Sequence, residues 1–272
     1  MHALRARLVA FFSKEASTRS VSLVRIGWPL LLWSRLGSDF VLYQHIQPWR
    51  IGLSLLWYAA TAAMFLGLFS RLSTAITGAL GLFLYYGLGH QMGVEPYTHH
   101  HTYLLFTLPV LLALTPCGGS FSLDRALALR RGDAPRERGL DWGRHLIKVQ
   151  LSAIYLFGAW SKTEWGHASG ERMEQYFMVL YQGSDYPAWP GFHWLMVALS
   201  VAVILLEYAI ALGIWLPSAR KWILGFGVIL HAGIYVSLPV ATFSASMLLL
   251  YLLALAPETV HGWVARQVSG EE

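Results

Sequence analysis

The stretch VQLSAIYLFGAWSK, residues 149–162, is an apolar run that ends in a charged amine, Lys162. Comparable apolar runs recur along nearly the whole chain, which is 56% hydrophobic and only 13% charged, with a mean hydropathy of +0.47. A soluble domain of this size carries about twice that fraction of charged residues. Because helices with apolar runs near this length are suited to crossing a bilayer, the sequence predicts an all-α integral membrane protein.

The apolar runs predict a polytopic helical bundle of about eight transmembrane helices. The candidate spans are Ser20–Leu36, Ile51–Phe69, Leu72–Gly93, Thr102–Pro116, Arg144–Lys162, His193–Leu216, Lys221–Leu238 and Ala241–Ala256. Most Lys and Arg residues between these spans fall on one side, and the other side holds only Arg35, Arg50, Lys162 and Arg172. The positive-inside rule therefore predicts that both termini are cytoplasmic.

Three segments outside the spans have their own character. Residues 1–14 predict an interfacial amphipathic helix, because apolar side chains share one face opposite Arg5 and Arg7. Residues 117–143 form the predicted cytoplasmic loop, in which Ser122 can cap a short helix. Residues 163–192 form the predicted extracytoplasmic loop. With no internal repeat or linker, we expect a single domain over residues 1–272.

Charge and cysteine usage exclude two classes of function. The basic residues cluster in loops, as membrane topology requires, so we expect no nucleic-acid partner and a lipid bilayer instead. Cys117 is the one cysteine in the sequence. An internal disulfide is therefore excluded, and a thiol relay has no support.

Ionisable residues inside apolar segments are the candidate functional groups, because a charge in a bilayer needs a partner, a cavity or a change of protonation. Glu207 lies deep in the sixth predicted span, and Arg25 in the first is its expected partner in a structural pair; proton handling is the other interpretation. Lys162 either extends to the interface beside Glu164 or acts as a base in a dry pocket.

Histidines supply the remaining candidates. His99, His100 and His101 are consecutive, so they cannot all reach one ion from a helix, and we expect no metal. A histidine of this group that faces a polar cavity is the favoured interpretation, with interfacial or structural roles as the alternative. His231, in the middle of the seventh predicted span, is either an interhelical hydrogen-bonding residue or part of a site.

The order of several motifs resembles a known family. The run His99–Asp124, HHHTYLLFTLPVLLALTPCGGSFSLD, and the run Tyr155–Lys162, YLFGAWSK, followed by Trp165, are similar to signatures of the horizontally transferred transmembrane (HTTM) domain. This domain is the membrane part of the vitamin K-dependent γ-carboxylase family. VRIGW around Arg25, LGLFSR ending at Arg71, and His231 followed by FSASM agree in order, so the resemblance extends over about residues 15–257.

The resemblance implies a reaction and its participants. In the carboxylases, the lysine that matches Lys162 acts as base toward reduced vitamin K, and the histidine that matches His101 supports the reacting charge. Oxygen and CO2 are the co-substrates, and the quinone leaves as an epoxide. By the same resemblance we expect reduced vitamin K or another quinol here, with His100, Tyr155, Trp165 and His231 lining its pocket.

The resemblance also implies a partner and a place. An exported protein or peptide would carry the glutamate substrate, although the β-rich portion that grips a propeptide has no counterpart in this sequence. We expect a multi-pass protein of a bacterial inner membrane, with its site on the extracytoplasmic side. The alternatives are a non-catalytic protein that binds a lipid or quinone and acts with an exported partner, and a transporter that uses Arg25, Glu207 and His231.

Overall fold

The computed structural model describes residues 2–42, 48–180, 182–238 and 240–269. The chain divides into two compact units. Unit 1 comprises Met1–Ile147 and Leu249–Glu272, and unit 2 comprises Lys148–Leu248. Each unit is described by itself.

Unit 1 is built from helices and one small pair of strands. Its elements are α1 (His2–Ser13), β1 (Glu15–Ser17), α2 (Arg19–Leu42), α3 (Pro48–Leu66), α4 (Ser70–Leu82), a π-helix (Phe83–Gln91), a 3-10 turn (Glu95–Tyr97), α5 (His100–Ala113), α6 (Leu123–Arg130), β2 (Arg138–Leu140) and the start of α7 (Trp142–Lys162). The end of α12 (Ala241–Ala254) and α13 (Pro257–Ser269) complete it.

Unit 2 contains most of α7 and the chain up to α12. Its further elements are α8 (Trp165–Ala168), α9 (Glu171–Leu180), a 3-10 turn (Tyr186–Ala188), α10 (Phe192–Gly213), α11 (Arg220–Ser237) and the first part of α12. Leu151, Tyr155 and Ala159 of α7 are buried in this unit at helical spacing, as are Ile204 and Ala211 of α10. The apolar face of each helix thus forms the unit's core.

Helix α2 shows how the sequence periodicity builds the core of unit 1. Val24, Trp28, Leu32 and Leu36 follow one another at intervals of four residues, and each is fully buried. The indole Nε1 of Trp28 donates to the carbonyl oxygen of Leu105 at 2.9 Å, which fixes α2 against α5. This spacing keeps one face of the helix turned inward over three turns.

Each of the eight predicted spans overlaps a helix, but the predicted number of membrane crossings is not confirmed. By length and composition, three helical stretches of the described residues can cross a membrane: Pro48–Leu66, Ser70–Gln91 and Phe192–Gly213. A fourth crossing is counted if Ala241–Ala254 and Pro257–Gln267, which meet at a bend of 100°, form one span. These apolar helices are consistent with an integral membrane protein.

Three of the four remaining predicted spans, those in α2, α5 and α7, fall short for identifiable reasons. Helix α5 is apolar but has only 14 residues, too few for a typical hydrocarbon core. Helices α2 and α7 are long enough, but they carry charged residues such as Arg25 and Lys148 within their length. The count of apolar runs in the sequence therefore overestimated the number of helices that are long and apolar enough to cross a membrane.

The smaller elements give a mixed outcome. Ser122 caps α6 as predicted, because its side chain accepts a hydrogen bond from the backbone N–H of Arg125 at 3.1 Å. Residues 2–13 are helical, although the side chains of Leu4 and Leu8 lie outside the described part of the chain. The antiparallel pair β1–β2, in which Glu15 is opposite Leu140, was not predicted, because three residues are too few to show a period-two pattern.

Candidate functional site

Lys162 is the last residue of α7, and its ammonium group contacts the carboxylate of Glu207 on α10. The Lys162 Nζ lies 3.0 Å from Oε1 and 2.9 Å from Oε2 of Glu207. It also donates to the carbonyl oxygen of Gly158, one turn earlier in its own helix, at 3.2 Å. The side chain therefore folds back along α7, and one amine bonds both carboxylate oxygens in a charge-assisted contact.

The surroundings of this ion pair are apolar on the Glu207 side. The Glu207 side chain is 9% exposed, and that of Lys162 is 30% exposed. Glu207 lies within α10, one of the three helical stretches of the described residues that are long and apolar enough to cross a membrane. Removing a carboxylate from water is costly unless it is paired, so Lys162 is the group that makes Glu207 tolerable at this position.

The pair has a chemical property that neither residue has alone. Burial penalises the carboxylate form of Glu207, whereas the contact with the Lys162 ammonium stabilises it. The two groups are within hydrogen-bonding distance, so a proton that passes between Nζ and a carboxylate oxygen need not enter bulk water.

Gly158 lies beside both members of the pair. A Cβ added at this glycine would lie 3.4 Å from Oε2 of Glu207 and 3.6 Å from Nζ of Lys162. The carboxylate of α10 thus lies directly against the backbone of α7. This places Glu207 at the level of residue 158, one turn from Tyr155.

Tyr155 and His231 form a second polar contact within unit 2. The Tyr155 hydroxyl and Nε2 of His231 are 2.7 Å apart, and both residues are buried. The imidazole also contacts the ring of Phe243, with centroids 5.8 Å apart. Both residues were predicted to line a quinone pocket, and that role stays a prediction. The structure shows a hydrogen bond between them, which joins α7 to α11.

Lys162 has no ion pair with Glu164, and its extension to the membrane interface beside that residue stays a prediction. Glu164 instead binds Arg172, at 2.6 Å, and Nδ1 of His167, at 3.1 Å. Trp165, the first residue of α8, is 79% exposed. Its side chain suits a membrane–water interface, and its predicted contact with a quinone stays a prediction.

His100 and His101 lie in unit 1, in the first turn of α5. His100 is exposed and His101 is half-buried. The ring of His101 stacks on that of His99, with centroids 5.4 Å apart and planes at 5°. Among the described residues, no group of three or more His, Cys, Asp or Glu side chains is placed to hold a metal ion. A joint role of His101 with Lys162 of unit 2 stays a prediction.

The expected pair between Arg25 and Glu207 was wrong. The Arg25 guanidinium lies in unit 1 and donates to four backbone carbonyls: those of Met64, Phe65, Cys117 and Phe121. Glu207 has Lys162 as its partner within unit 2. The physical reason is that the guanidinium presents five donors in a fixed fork, which suits several carbonyls at the end of α3 and in the loop between α5 and α6.

An aromatic cluster on the π-helix was also missed from the sequence. Tyr85 contacts Tyr86 and Tyr103 at centroid distances of 5.0 Å, and His90 at 4.8 Å. The segment FLYYGLGH at residues 83–90 carries the aromatic residues that could have indicated it. The π-helical turns were not foreseeable, because nothing in residue spacing distinguishes them from an α-helix.

Comparison with known proteins gives one match. The family model of the HTTM domain matches residues 31–258, which is most of the chain. No curated protein and no solved structure matches. The matched range includes Lys162, Glu207, Tyr155 and His231, so the whole of the site in unit 2 lies inside the domain.

Proposed function

This chain belongs to the HTTM domain family, and on that premise we propose that it is a quinol-dependent membrane enzyme, similar to the vitamin K-dependent γ-carboxylases, in which Lys162 is the base. The observation that carries the proposal is the contact between Lys162 Nζ and the buried carboxylate of Glu207. A reduced quinone supplies the hydroxyl proton and, after reaction with O2, the strong base that such carboxylation needs.

Glu207 gives Lys162 the means to be a base in an apolar setting. A protonated amine cannot accept a proton, and an exposed lysine is protonated at neutral pH. In this pair, the carboxylate can hold the lysine proton while the neutral amine takes the proton of a quinol hydroxyl. The released proton stays within hydrogen-bonding distance throughout, so no charge has to be moved into lipid.

The position of the pair suits a lipid-soluble substrate. Lys162 ends α7 at the segment that we place on the extracytoplasmic side, and Glu207 lies in an apolar helix. A quinol can therefore approach sideways from the bilayer, while O2 and CO2 dissolve readily in it. His101 would support the reacting charge, and His100, Tyr155, Trp165 and His231 would line the quinone pocket. We place the protein in a bacterial inner membrane with both termini cytoplasmic.

The test supplies reduced vitamin K or menaquinol, oxygen and bicarbonate to the purified protein and measures quinone epoxide by chromatography with mass detection. We expect epoxide from the wild type and a loss of at least about 100-fold in Lys162→Ala, the lower range for removal of a general base. Lys221→Ala is the matched control, because it removes an exposed lysine of the same unit. Equal epoxide from Lys162→Ala, or none from the wild type, ends the proposal.

A non-catalytic role is the second candidate, and the mutual pairing of the polar groups favours it. Lys162 bonds Glu207, and Tyr155 bonds His231, so each group has a protein partner in the structure. Such a protein would bind a lipid or quinone, with an exported protein as its partner. Mass spectrometry of lipids retained through purification, combined with the epoxide assay, separates a bound quinone without turnover from the enzyme.

A further inference from the structure

We propose that one face of α7 is a proton route, which connects the Lys162–Glu207 pair to the opposite end of the helix at Lys148. Four polar residues define this polar face of α7: Lys148, Ser152, Tyr155 and Lys162. Their separations of four, three and seven residues place them within about 80° of one another on a helix of 3.6 residues per turn. All four belong to unit 2, and so do their partners on α10, α11 and the segment between these two helices.

The end of the route away from Lys162 is formed by Lys148 and Ser152. The Lys148 amine lies 4.2 Å from the ring centroid of Trp215, in a cation–π contact, and the residue is only 4% exposed. The Ser152 hydroxyl accepts from Nε1 of Trp215 at 2.7 Å and donates to the carbonyl oxygen of Ala211 at 2.8 Å. Trp215 therefore contacts both residues of this end.

The middle of the route is the contact between Tyr155 and His231. Their hydrogen bond of 2.7 Å joins two groups that can each accept and release a proton. Tyr155 lies one turn from Ser152 along α7. A phenol and an imidazole in contact are the side chains best suited to pass a proton by changing which atom carries it.

At Gly158, one turn of this face has no polar side chain from α7 itself. The carboxylate of Glu207, on α10, lies beside that turn. Because Gly158 has no side chain, the carboxylate of Glu207 lies against it. The carboxylate is thus one turn from Tyr155 and in direct contact with Lys162. With this contribution from α10, every turn of α7 from Lys148 to Lys162 has a polar group.

The length of this polar face and the energetic cost of its polar groups distinguish it from ordinary helix packing. Fourteen residues of α-helix extend about 21 Å, which is roughly two-thirds of a hydrocarbon core of about 30 Å. The proposal includes that α7 lies within the bilayer, where polar and ionisable groups are expensive and usually mark pathways for ions or protons. A proton enters at one end and another leaves at the other end, so no bond between heavy atoms changes and no redox partner is needed.

The experiment uses the full chain in sealed liposomes that contain a pH-sensitive dye. A potassium gradient with valinomycin sets a membrane potential, and the rate of internal acidification or alkalinisation is measured without any quinone. We expect the wild type to move protons faster than protein-free liposomes, and Tyr155→Phe to be slower by about 100-fold or reduced to the protein-free rate. The matched control is Tyr235→Phe, the same chemical change at a residue of α11 that is 63% exposed, and it should equal the wild type.

Folding is checked by the unfolding temperature in detergent, and His231→Gln and Glu207→Gln provide second variants if Tyr155→Phe does not fold. A wild-type rate equal to that of empty liposomes overturns the proposal. A folded Tyr155→Phe protein that conducts like the wild type also overturns it, and leaves these contacts as packing between helices. Since the assay contains no quinone, its result is independent of whether the chain makes an epoxide.

Discussion

Two cations, the buried Arg25 in unit 1 and the partly exposed Lys162 in unit 2, are stabilised in different ways. Arg25 is fully buried and donates to four neutral backbone carbonyls. Lys162 is partly exposed and shares its amine protons mainly with one carboxylate, that of Glu207. The guanidinium is surrounded by acceptors that cannot take its proton, whereas the ammonium contacts one that can.

This difference determines which of the two cations has a neighbour that can accept its proton. An arginine keeps its proton in proteins, and a set of carbonyls leaves it with no site to transfer one to. Its role is to join the end of α3 and the loop between α5 and α6 to α2. A lysine titrates more readily, and a buried carboxylate is a proton acceptor at hydrogen-bonding distance. The partner, more than the cation, decides which of the two sites can do acid–base chemistry.

The largest expected effect concerns Arg25 and its four carbonyl acceptors. Arg25→Leu removes the donors for four carbonyls, and unsatisfied buried groups cost about 1–3 kcal/mol each. We expect the free energy of unfolding to fall by about 4 kcal/mol, measured by equilibrium unfolding in mixed detergent micelles. Arg130→Lys, at an exposed end of α6, is the control and should have no effect. A loss as small as that of the control would show that the Arg25 contacts do not hold unit 1 together.

A smaller effect is expected for the ion pair between Lys162 and Glu207. Lys162→Met and Glu207→Gln each break the ion pair, and the double variant removes it entirely. We expect a coupling energy of about 1–2 kcal/mol in the double-mutant cycle, below the Arg25 effect because Lys162 is partly exposed. The same unfolding measurement gives all four corners of the cycle. Simple additivity of the two single variants would mean that the contact is not formed in the protein.

The smallest effect concerns the thiol beside the Arg25 site. Cys117 is fully buried, and its burial raises the pKa of the thiol above the ordinary value. Because the thiolate is the reactive form, less of it is present at pH 8 than for an exposed cysteine. We expect labelling by a maleimide to be at least about tenfold slower in the folded protein than after denaturation in SDS. Equal rates would show that this part of unit 1 opens to solvent.

Local features of the fold were readable from the sequence. Apolar runs predicted the helices, since each of the eight segments overlaps one, and the Ser122 cap of α6 followed from its hydroxyl placed before the helix. These features depend on neighbours within a few residues, which is the range that periodicity and capping patterns report.

The pairing of distant residues was not readable in the same way. Glu207 was expected to need a partner, and the wrong one was assigned, because Arg25 and Lys162 both lie in helices and sequence separation does not indicate which is closer. Tyr155 and His231 were both identified as candidates for the same pocket, but their hydrogen bond across 76 residues was not predicted. The sequence signal for the Lys162–Glu207 pair was that two residues of opposite charge lie in neighbouring predicted apolar helices.

The sequence by itself determined that the chain is mostly helical, rich in apolar segments, and similar to the HTTM domain, since composition and motif order need no three-dimensional information. The tertiary structure decided that Arg25 donates hydrogen bonds to backbone carbonyls and that Lys162 pairs with a carboxylate. The reason is that helix rotation and packing bring together side chains tens of residues apart, and a contact of 2.9 Å between Lys162 and Glu207 depends on both helices at once.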